Sequence, residues 1–411
     1  MVELTENAPT CCKCRRTELL RSDLDTREVF CLFHAPVDKK GITPAEFRDK
    51  VLEEFARSQE AGEEYCDLSE AVFPEVDFSS VEFTQAANFR WAEFSAAANF
   101  FKATFTEAAD FREAQFTEAA DFGWATFSAA ADFNEAKFSE YASFGMATFT
   151  KTANFRGAKF TQANFSQAAF TKAANFNGAE FTAANFSEAR FTEAADFSRS
   201  TLTNVKLFRA QFNKDVDFSF ATFNQKAEFT QLFVKERIFF IHIDLTRVEI
   251  SFLQTDLRKF QFESCTWRRE GGRREGREIL WDELAVAGLA ETTPESRATK
   301  ADEYTKVGDL YRRLKQKYKE EHNEPEASTW HYNEKEMLRK VEGLRRRSSS
   351  DRLTSLKTWF SFALLTIYYY SSGYAERPLR AGFWMLGLMM VYPVVISWCD
   401  LDFKHQPPAQ V

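Results

Sequence analysis

FTEAADFREAQFTEAADF, residues 105–122, sets phenylalanines at steps of 6, 5 and 6 residues. Outward from it, two interleaved ladders run at a spacing of 11: Phe78, Phe89, Phe100, Phe111, Phe122, Phe133, Phe144 and Phe155, and Phe83, Phe94, Phe105, Phe116, Phe127, Phe138, Phe149 and Phe160. Beyond Phe155 the steps become 5, 5, 5 and 6 and the period becomes 21, with Phe155, Phe176, Phe197 and Phe218 on one ladder and Phe170, Phe191 and Phe212 on another. Leu202 and Leu207 stand on rungs of the remaining two. Two elevens make 22, so both halves fit one description, four short pieces per lap of 21 or 22 residues, which is the arithmetic of a four-sided coil.

An 11-residue period also marks right-handed helical coiled coils, and Ala and Glu abound here. On an α-helix, steps of 5 and 6 residues turn a side chain by about 140° and 240°, so the phenylalanines would scatter around the helix. The local grammar suits short extended pieces instead. A small residue stands two before Phe (Ala87, Ala92, Ala103, Ala109), Asn or Asp often one before (Asn88, Asn99, Asp110, Asp121), and Ser or Thr often one after (Thr84, Ser95, Thr106, Thr117). Small and large inward residues then alternate while polar ones face water.

Over residues 73–267 this pattern resembles the pentapeptide-repeat family in its Phe-centred form, with an extra residue in alternate repeats. The resemblance implies a mainly β fold, a right-handed quadrilateral β-helix, and for some members binding to type II topoisomerases by mimicry of DNA. At ~4.8 Å per lap, the stretch makes roughly nine laps and a rod about 43 Å long. Each stacked phenylalanine contributes about 1.5–3 kcal/mol by burial. Such a rod is a filled core without an internal ligand cavity, and its open ends need covers. Upstream, Thr43-Pro44-Ala45-Glu46 supplies an N-cap hydroxyl, Pro at the first helical position and Glu at the third, with Phe47, Val51, Leu52 and Phe55 on one face. Downstream the rungs turn aliphatic (Leu245, Ile250, Leu257) and end at Phe262 and Trp267, before a charged GGRREGRE linker and a short apolar helix near 279–289.

Forty-five phenylalanines stand against 11 tyrosines and 8 tryptophans in 411 residues, with 44% hydrophobic and 28% charged residues, which excludes a chain disordered throughout. The formal net charge of -8 argues against a basic nucleic-acid binder. Seven cysteines, three crowded at Cys11, Cys12 and Cys14, do not make a distributed disulfide framework and favour a reducing compartment. The start, MVELTENAPT, is polar and lacks the apolar core of an export signal. Cys11-x2-Cys14 and Cys31-x2-His34 are two ligand pairs 16 residues apart, the donor set of a closed structural Zn²⁺ site, with Cys12 as spare ligand. The segment CLFHAPVDKK followed by a helix also resembles the N-terminal part of some pentapeptide-repeat membrane proteins.

Beyond Thr292 the composition shifts to helices: 301–321 and 327–347 read as an αα-hairpin around HNEPE, the first with an apolar face of Tyr304, Val307, Leu310, Tyr311, Leu314 and Tyr318. The pair resembles a single tetratricopeptide-like unit. Leu379 to Cys399 carries only Arg380 as a charge and has Trp384 and Trp398 towards its ends, the pattern of a transmembrane helix. Leu353 to Tyr370 contains Lys357 and ends in three tyrosines, and reads as an interfacial helix, since a second span would put the basic AERPLR loop outside. Arg345 to Arg347, Arg352 and Lys357 precede the span while Asp400 and Asp402 follow it, so the chain is expected in the cell membrane, single-pass, with the repeat domain cytoplasmic. SSGYAERPLRAGFW, 371–384, resembles the segment that leads into a small ion-channel-like pore in membrane-attached pentapeptide-repeat proteins, with Ala375 replacing a Gly. With twelve residues after Cys399, the approach to a pore is expected here and not the pore.

The expected organisation is a zinc-knuckle-like segment over 1–42, a capping helix over 43–65, the β-helix over 66–267, a linker and short helix over 268–300, the αα-hairpin over 301–347, the interfacial helix over 353–374 and the transmembrane helix over 379–399. The histidines (His34, His242, His322, His331, His405) lie far apart, and no nucleophile elbow, phosphate loop or two-His metal helix occurs, so no catalytic or cofactor-binding residue is named and no enzyme is expected. The partners expected are a lipid bilayer and an unidentified protein, with no direct nucleic-acid binding. Two alternatives stand beside the scaffold. One is a DNA-mimicking regulator of a type II topoisomerase, since 66–150 holds 14 acidic residues against four basic. The other is a subunit or relic of a small ion-channel-like membrane protein.

Overall fold

A computed structural model describes residues 19–22, 29–270, 277–348 and 352–372, and five positions between 382 and 389. It divides into two units, 1–269 and 270–411. The first is a parallel β-solenoid of about 9 turns. One lap shows how the sequence builds it: strands Ala86–Asn88, Glu93–Phe94, Ala98–Asn99 and Thr104–Phe105 lie on four successive faces, and Ala109–Asp110 begins the next lap beside the first. Register follows the sequence ladder, with Phe83 beside Phe105 and Phe127, Phe94 beside Phe116 and Phe138, and Ala87 beside Ala109 and Ala131.

The phenylalanines fill the axis in four columns. Within a column the rings stack in parallel, Phe105 on Phe127 at 4.9 Å and 0° and Phe111 on Phe133 at 4.9 Å and 1°; between columns they meet edge to face, Phe111 and Phe122 at 5.6 Å and 83°. Both are favourable ring geometries. The inward alanines Ala87, Ala98, Ala109 and Ala120 are at most 2% exposed and leave the axis to the rings.

The grammar around each Phe now has a cause. Phe111 opens a turn in which Ala114 N donates to Phe111 O (3.1 Å) and Glu113 takes the left-handed conformation at φ 59°. Asp110, one before Phe111, accepts the turn's Arg112 N–H at 3.0 Å, an Asx closure repeated by Asn88, Asn99, Asp121, Asp132 and Asn154. Thr117, one after Phe116, donates its hydroxyl to Phe94 O of the lap before at 3.1 Å, as Thr106 does to Phe83 and Thr171 to Phe149.

The change of rhythm after Phe155 also has a structural meaning. With six residues from Phe138 to Phe144, the corner between the second and third faces holds an extra residue, absorbed as a register shift between Phe138 and Tyr141. Lys137–Ser143 and Thr222–Glu228 cross both faces with that extra residue, whereas with five Lys159–Asn164, Glu180–Asn185 and Thr201–Lys206 pair across the corner without a register shift.

Helix α1, Pro44–Glu60, starts on the expected capping box of Thr43 and Glu46. Its Phe47 meets Phe73 at 5.6 Å and its Phe55 meets Phe83 at 5.0 Å, so it covers the first lap. It ends before the 43–65 boundary, since Tyr65–Asp67 is already a solenoid strand beside Ala86–Asn88. The last rungs close with Phe262 against Trp267 at 5.0 Å.

The second unit is helical: α2 (Trp281–Ala287), α3 (Pro294–Glu320), α4 (Glu324–Ser348) and α5 (Arg352–Ser372). The αα-hairpin is present, but α3 begins earlier than the expected 301, inside the expected linker, because Thr293 and Ser296 form a reciprocal cap ahead of Pro294. Tyr304, Val307, Leu310, Tyr311 and Leu314 are buried as its apolar face. Helix α5 lays Phe362 under Arg346 and Tyr369 beside Tyr332, while Trp359, Phe360, Leu364, Ile367 and Tyr370 are each more than half exposed. Among the described residues no helix is long and apolar enough to cross a membrane. The expected span, 379–399, lies outside the described residues apart from those five positions, and the 271–276 linker lies outside them entirely.

Candidate functional site

At the N-terminus, strands Leu19–Ser22 and Val29–Cys31 form an antiparallel pair, and the turn after it brings His34 back to Cys31. Cys31 Sγ and His34 Nδ1 are 3.1 Å apart and both residues are buried. The Ser69 carbonyl, 2.8 Å from His34 Nε2, can only accept, so Nε2 carries a proton, and in the neutral ring Nδ1 presents its lone pair to the sulfur. A histidine whose far nitrogen donates to a backbone carbonyl is oriented as metal-bound histidines are, and thiolate plus imidazole is a donor pair suited to zinc. Two of the four sequence-named ligands are thus brought together; Cys11 and Cys14, with the spare Cys12, lie outside the described residues. Among the described residues no cluster of three or more His, Cys, Asp or Glu could hold a metal ion.

Sequence reading passed over the groups around this pair. Lys40 is buried and donates to Leu32 O (2.5 Å) and Phe33 O (3.1 Å), and burial pulls its ammonium down to about 7 against the opposing attraction of Cys31. Phe33 O accepts from Val72 N at 2.8 Å, which joins the turn after Cys31 to the first lap. The residue types alone give no signal for either.

The rod's surface is its largest feature. Acidic side chains outnumber basic ones 14 to 4 over 66–150, whereas 151–230 carries ten basic against seven acidic residues, so charge changes sign along the axis. On the first corner a groove of about 410 Å³ is lined by Trp91, Glu135, Arg156, Lys159 and Glu180 around Gly157 and Gly178. Across the corner between the second and third faces runs a shallow trough of about 520 Å³, floored by Ala163, Ala183 and Ala184, with Tyr141 at one end and Lys206 and Lys226 at the other. Both are open surface features, since the axis is occupied by rings.

In the second unit, Glu283 is the hub of a buried polar network. Tyr311 Oη donates to its Oε2 at 2.7 Å, Lys340 Nζ to its Oε1 at 2.6 Å and Arg277 Nη1 to its Oε2 at 2.8 Å; Asn333 accepts from Arg277 at 3.0 Å. Burial opposes the charge, but Arg277 and Lys340 hold the carboxyl below its usual range. Burial and the Glu283 charge raise the Tyr311 hydroxyl well above its ordinary value. A fully bonded ion cluster of this kind fixes α2 against α3 and α4. Of the histidines other than His34, His242 stacks on Phe220 and His331 sits 3.7 Å from Glu334.

A parallel solenoid with a filled aromatic axis and shallow outer grooves belongs to the class of repeat proteins. Residues 68–115, 100–145, 111–159, 133–180 and 155–201 match the family model for pentapeptide repeats (9 copies), so the stretch 68–201 is made of pentapeptide repeats. No curated protein and no solved structure matches the chain.

Proposed function

We propose that this chain is a non-catalytic scaffold, attached to the cell membrane by its C-terminal segment, whose cytoplasmic solenoid holds a protein partner on its outer faces. The observation that carries the reading is the aromatic axis: Phe94, Phe100, Phe111 and Phe122 are fully buried, so the rod offers rows of outward side chains and no interior. Membrane attachment draws on the apolar run Leu379 to Cys399 and on the exposed aromatic side of α5. Cys11, Cys14, Cys31 and His34 are proposed to hold one structural zinc, which would tie the polar N-terminal stretch onto the first lap and supply no open position for chemistry. The test is crosslinking in native membranes with identification of what is captured. The reading expects the chain in the carbonate-resistant membrane fraction and one recurrent partner crosslinked from solenoid positions such as Tyr141; a chain recovered in the soluble fraction contradicts the attachment.

The acidic half of the rod favours a second reading, a DNA-mimicking regulator of a type II topoisomerase. It expects salt-sensitive capture of the topoisomerase by the full chain. Absence of that capture at low salt removes it.

A further inference from the structure

The first corner of the rod carries one left-handed residue per lap: Glu70, Trp91, Glu113, Glu135, Gly157, Gly178, Arg199, Phe220, His242 and Ser264. From Glu70 to His242 the backbone N–H groups run lap to lap in a single column. Rings stacked within a few degrees of parallel from Phe94 to Phe191, such as 5° for Phe94 on Phe116, 5° for Phe138 on Phe160 and 3° for Phe170 on Phe191, show little rotation between the laps on either side of the two glycines. Two of its ten positions lack side chains, and the fold does not require that. Tryptophan, glutamate and arginine adopt the same conformation in other laps. A Cβ placed on Gly178 would meet nothing within 4 Å, and one on Gly157 would meet only the movable Glu135 side chain, Cγ at 3.2 Å.

Reversing the row about the point between Gly157 and Gly178 shows what the glycines are for. Gly157 falls opposite Gly178, Glu135 opposite Arg199, and Trp91 and Glu113 opposite His242 and Phe220. On the neighbouring row of strand residues, the same operation sets Lys159 opposite Glu180 and Lys137 opposite Thr201. On the row before it, Arg156 falls opposite Asn177. No like charges coincide at any of these positions. Glu135 and Arg199 have no ion-pair partner among the described residues of their own chain, although both are exposed. Lys159 and Glu180 already pair across adjacent laps at 2.8 Å, so the reversed copy closes a four-charge ring. Trp91, held by Arg90 stacked 3.7 Å over it, meets Phe220 and His242, which themselves stack at 4.9 Å.

We infer that a second copy of this chain docks antiparallel along this corner, about a two-fold axis passing between the Gly157 and Gly178 laps. At the waist the glycine grooves of the two copies face each other. Aromatic contacts close each end, and Glu135–Arg199 pairs flank the waist twice by symmetry. The strip covers eight laps, about 34 Å at ~4.8 Å per lap. Such a strip lies at the small end of specific interfaces, so the dimer is reversible and concentration-dependent. Its charge pairs make it weaken with salt.

The test is a charge swap read by sedimentation equilibrium of the full chain in mild detergent at low ionic strength. Glu135→Arg and Arg199→Glu each place like charges across the interface and are expected to raise the dimer dissociation constant about tenfold. The double variant E135R/R199E restores it to within about twofold of the parent. Within one chain these residues lie three laps apart, about 14 Å, so the rescue cannot be internal. Both are exposed and touch nothing in the core, and thermal melts matching the parent show the variants folded. A parent that stays monomeric, a dimer indifferent to the single changes, or a double variant as weak as the singles each overturns the inference.

Discussion

At the scale of single residues, the energy of the rod lies in ring packing, and the inward and outward positions of one lap differ sharply. Phe122 is buried with neighbours at 4.8 Å and 4.9 Å in its column, whereas Trp124, two residues on, is 54% exposed. Phe122→Ala is therefore expected to cost about 3–5 kcal/mol and Trp124→Ala less than about 0.5, measured by denaturant unfolding. Volume is conserved lap by lap where the rungs change: Leu202 and Leu207 replace two rings, and Val205 between them replaces the alanine found in the laps before. The Asn/Asp row shows electrostatics at the same scale. Asp132 stacks beside Asp110, and burial first, then that neighbour, push its carboxyl above its ordinary value, against the Asn134 N–H and Arg112. An acid with a raised folded value binds its proton more tightly folded than unfolded, so its charge costs stability above that value and the cost vanishes as pH falls through it. Asp132→Asn keeps the oxygen that caps the turn and is expected to raise the melting temperature at pH 7 and to lose that advantage near pH 4. An unchanged or lower melting temperature at pH 7 would count against the assignment.

At the scale of elements, the N-terminal turn around Cys31 and His34 and the helical unit each rest on a few polar contacts. If zinc is held by Cys11, Cys14, Cys31 and His34, elemental analysis of the purified chain gives one zinc per molecule. His34→Ala, or a strong chelator, then removes it and loosens the N-terminal stretch to protease. In the helical unit, Glu283→Gln takes from Lys340 its counter-charge and leaves Arg277 only the half-exposed Glu270, 2.5 Å away, and a loss of about 3 kcal/mol in unfolding of the helices is expected. Because the Glu283 carboxyl is held low, the stability it adds is complete above the unfolded value of about 4.3 and disappears as pH falls below that. The parent should lose helix in acid below that point while the Gln variant shows a flatter profile.

Legibility differed between these elements for physical reasons. The α1 cap was readable because Thr43-Pro44 and Glu46 form a reciprocal box with its usual residue types. The start of α3 was missed because Ser296, not Glu or Gln, closes the box at Thr293. The Glu283 cluster could not be read, since Arg277, Tyr311, Asn333 and Lys340 share no period and come together only when three helices pack. Cys31 and His34 were named from spacing, but Ser69, which sets the ring's orientation, lies 35 residues away from His34.

At the scale of the whole molecule, the repeat makes surface design simple. Every position in the lap becomes a straight outer row, and a substitution in one lap changes one rung of that row. The four-sided coil was legible because the same residue types recur in every lap. The complementarity of the first corner was not, because it needs the lap register that turns residues 21 or 22 apart into neighbours. The reversal of charge between 66–150 and 151–230 belongs to this scale too, and it makes antiparallel pairing of rods the favoured arrangement of two copies.

Laps of 21 or 22 residues rise by one strand spacing, and distance along one outer row tests this most directly. Gln115 and Thr222 are linked through Lys137, Lys159, Glu180 and Thr201, five laps in all. With spin labels at these two positions, diluted in unlabelled chain, double electron–electron resonance should give a narrow distribution near 24 Å plus the reach of the labels. A continuous helix would put the two positions ~160 Å apart, and a broad distribution or no resolvable coupling would contradict the solenoid.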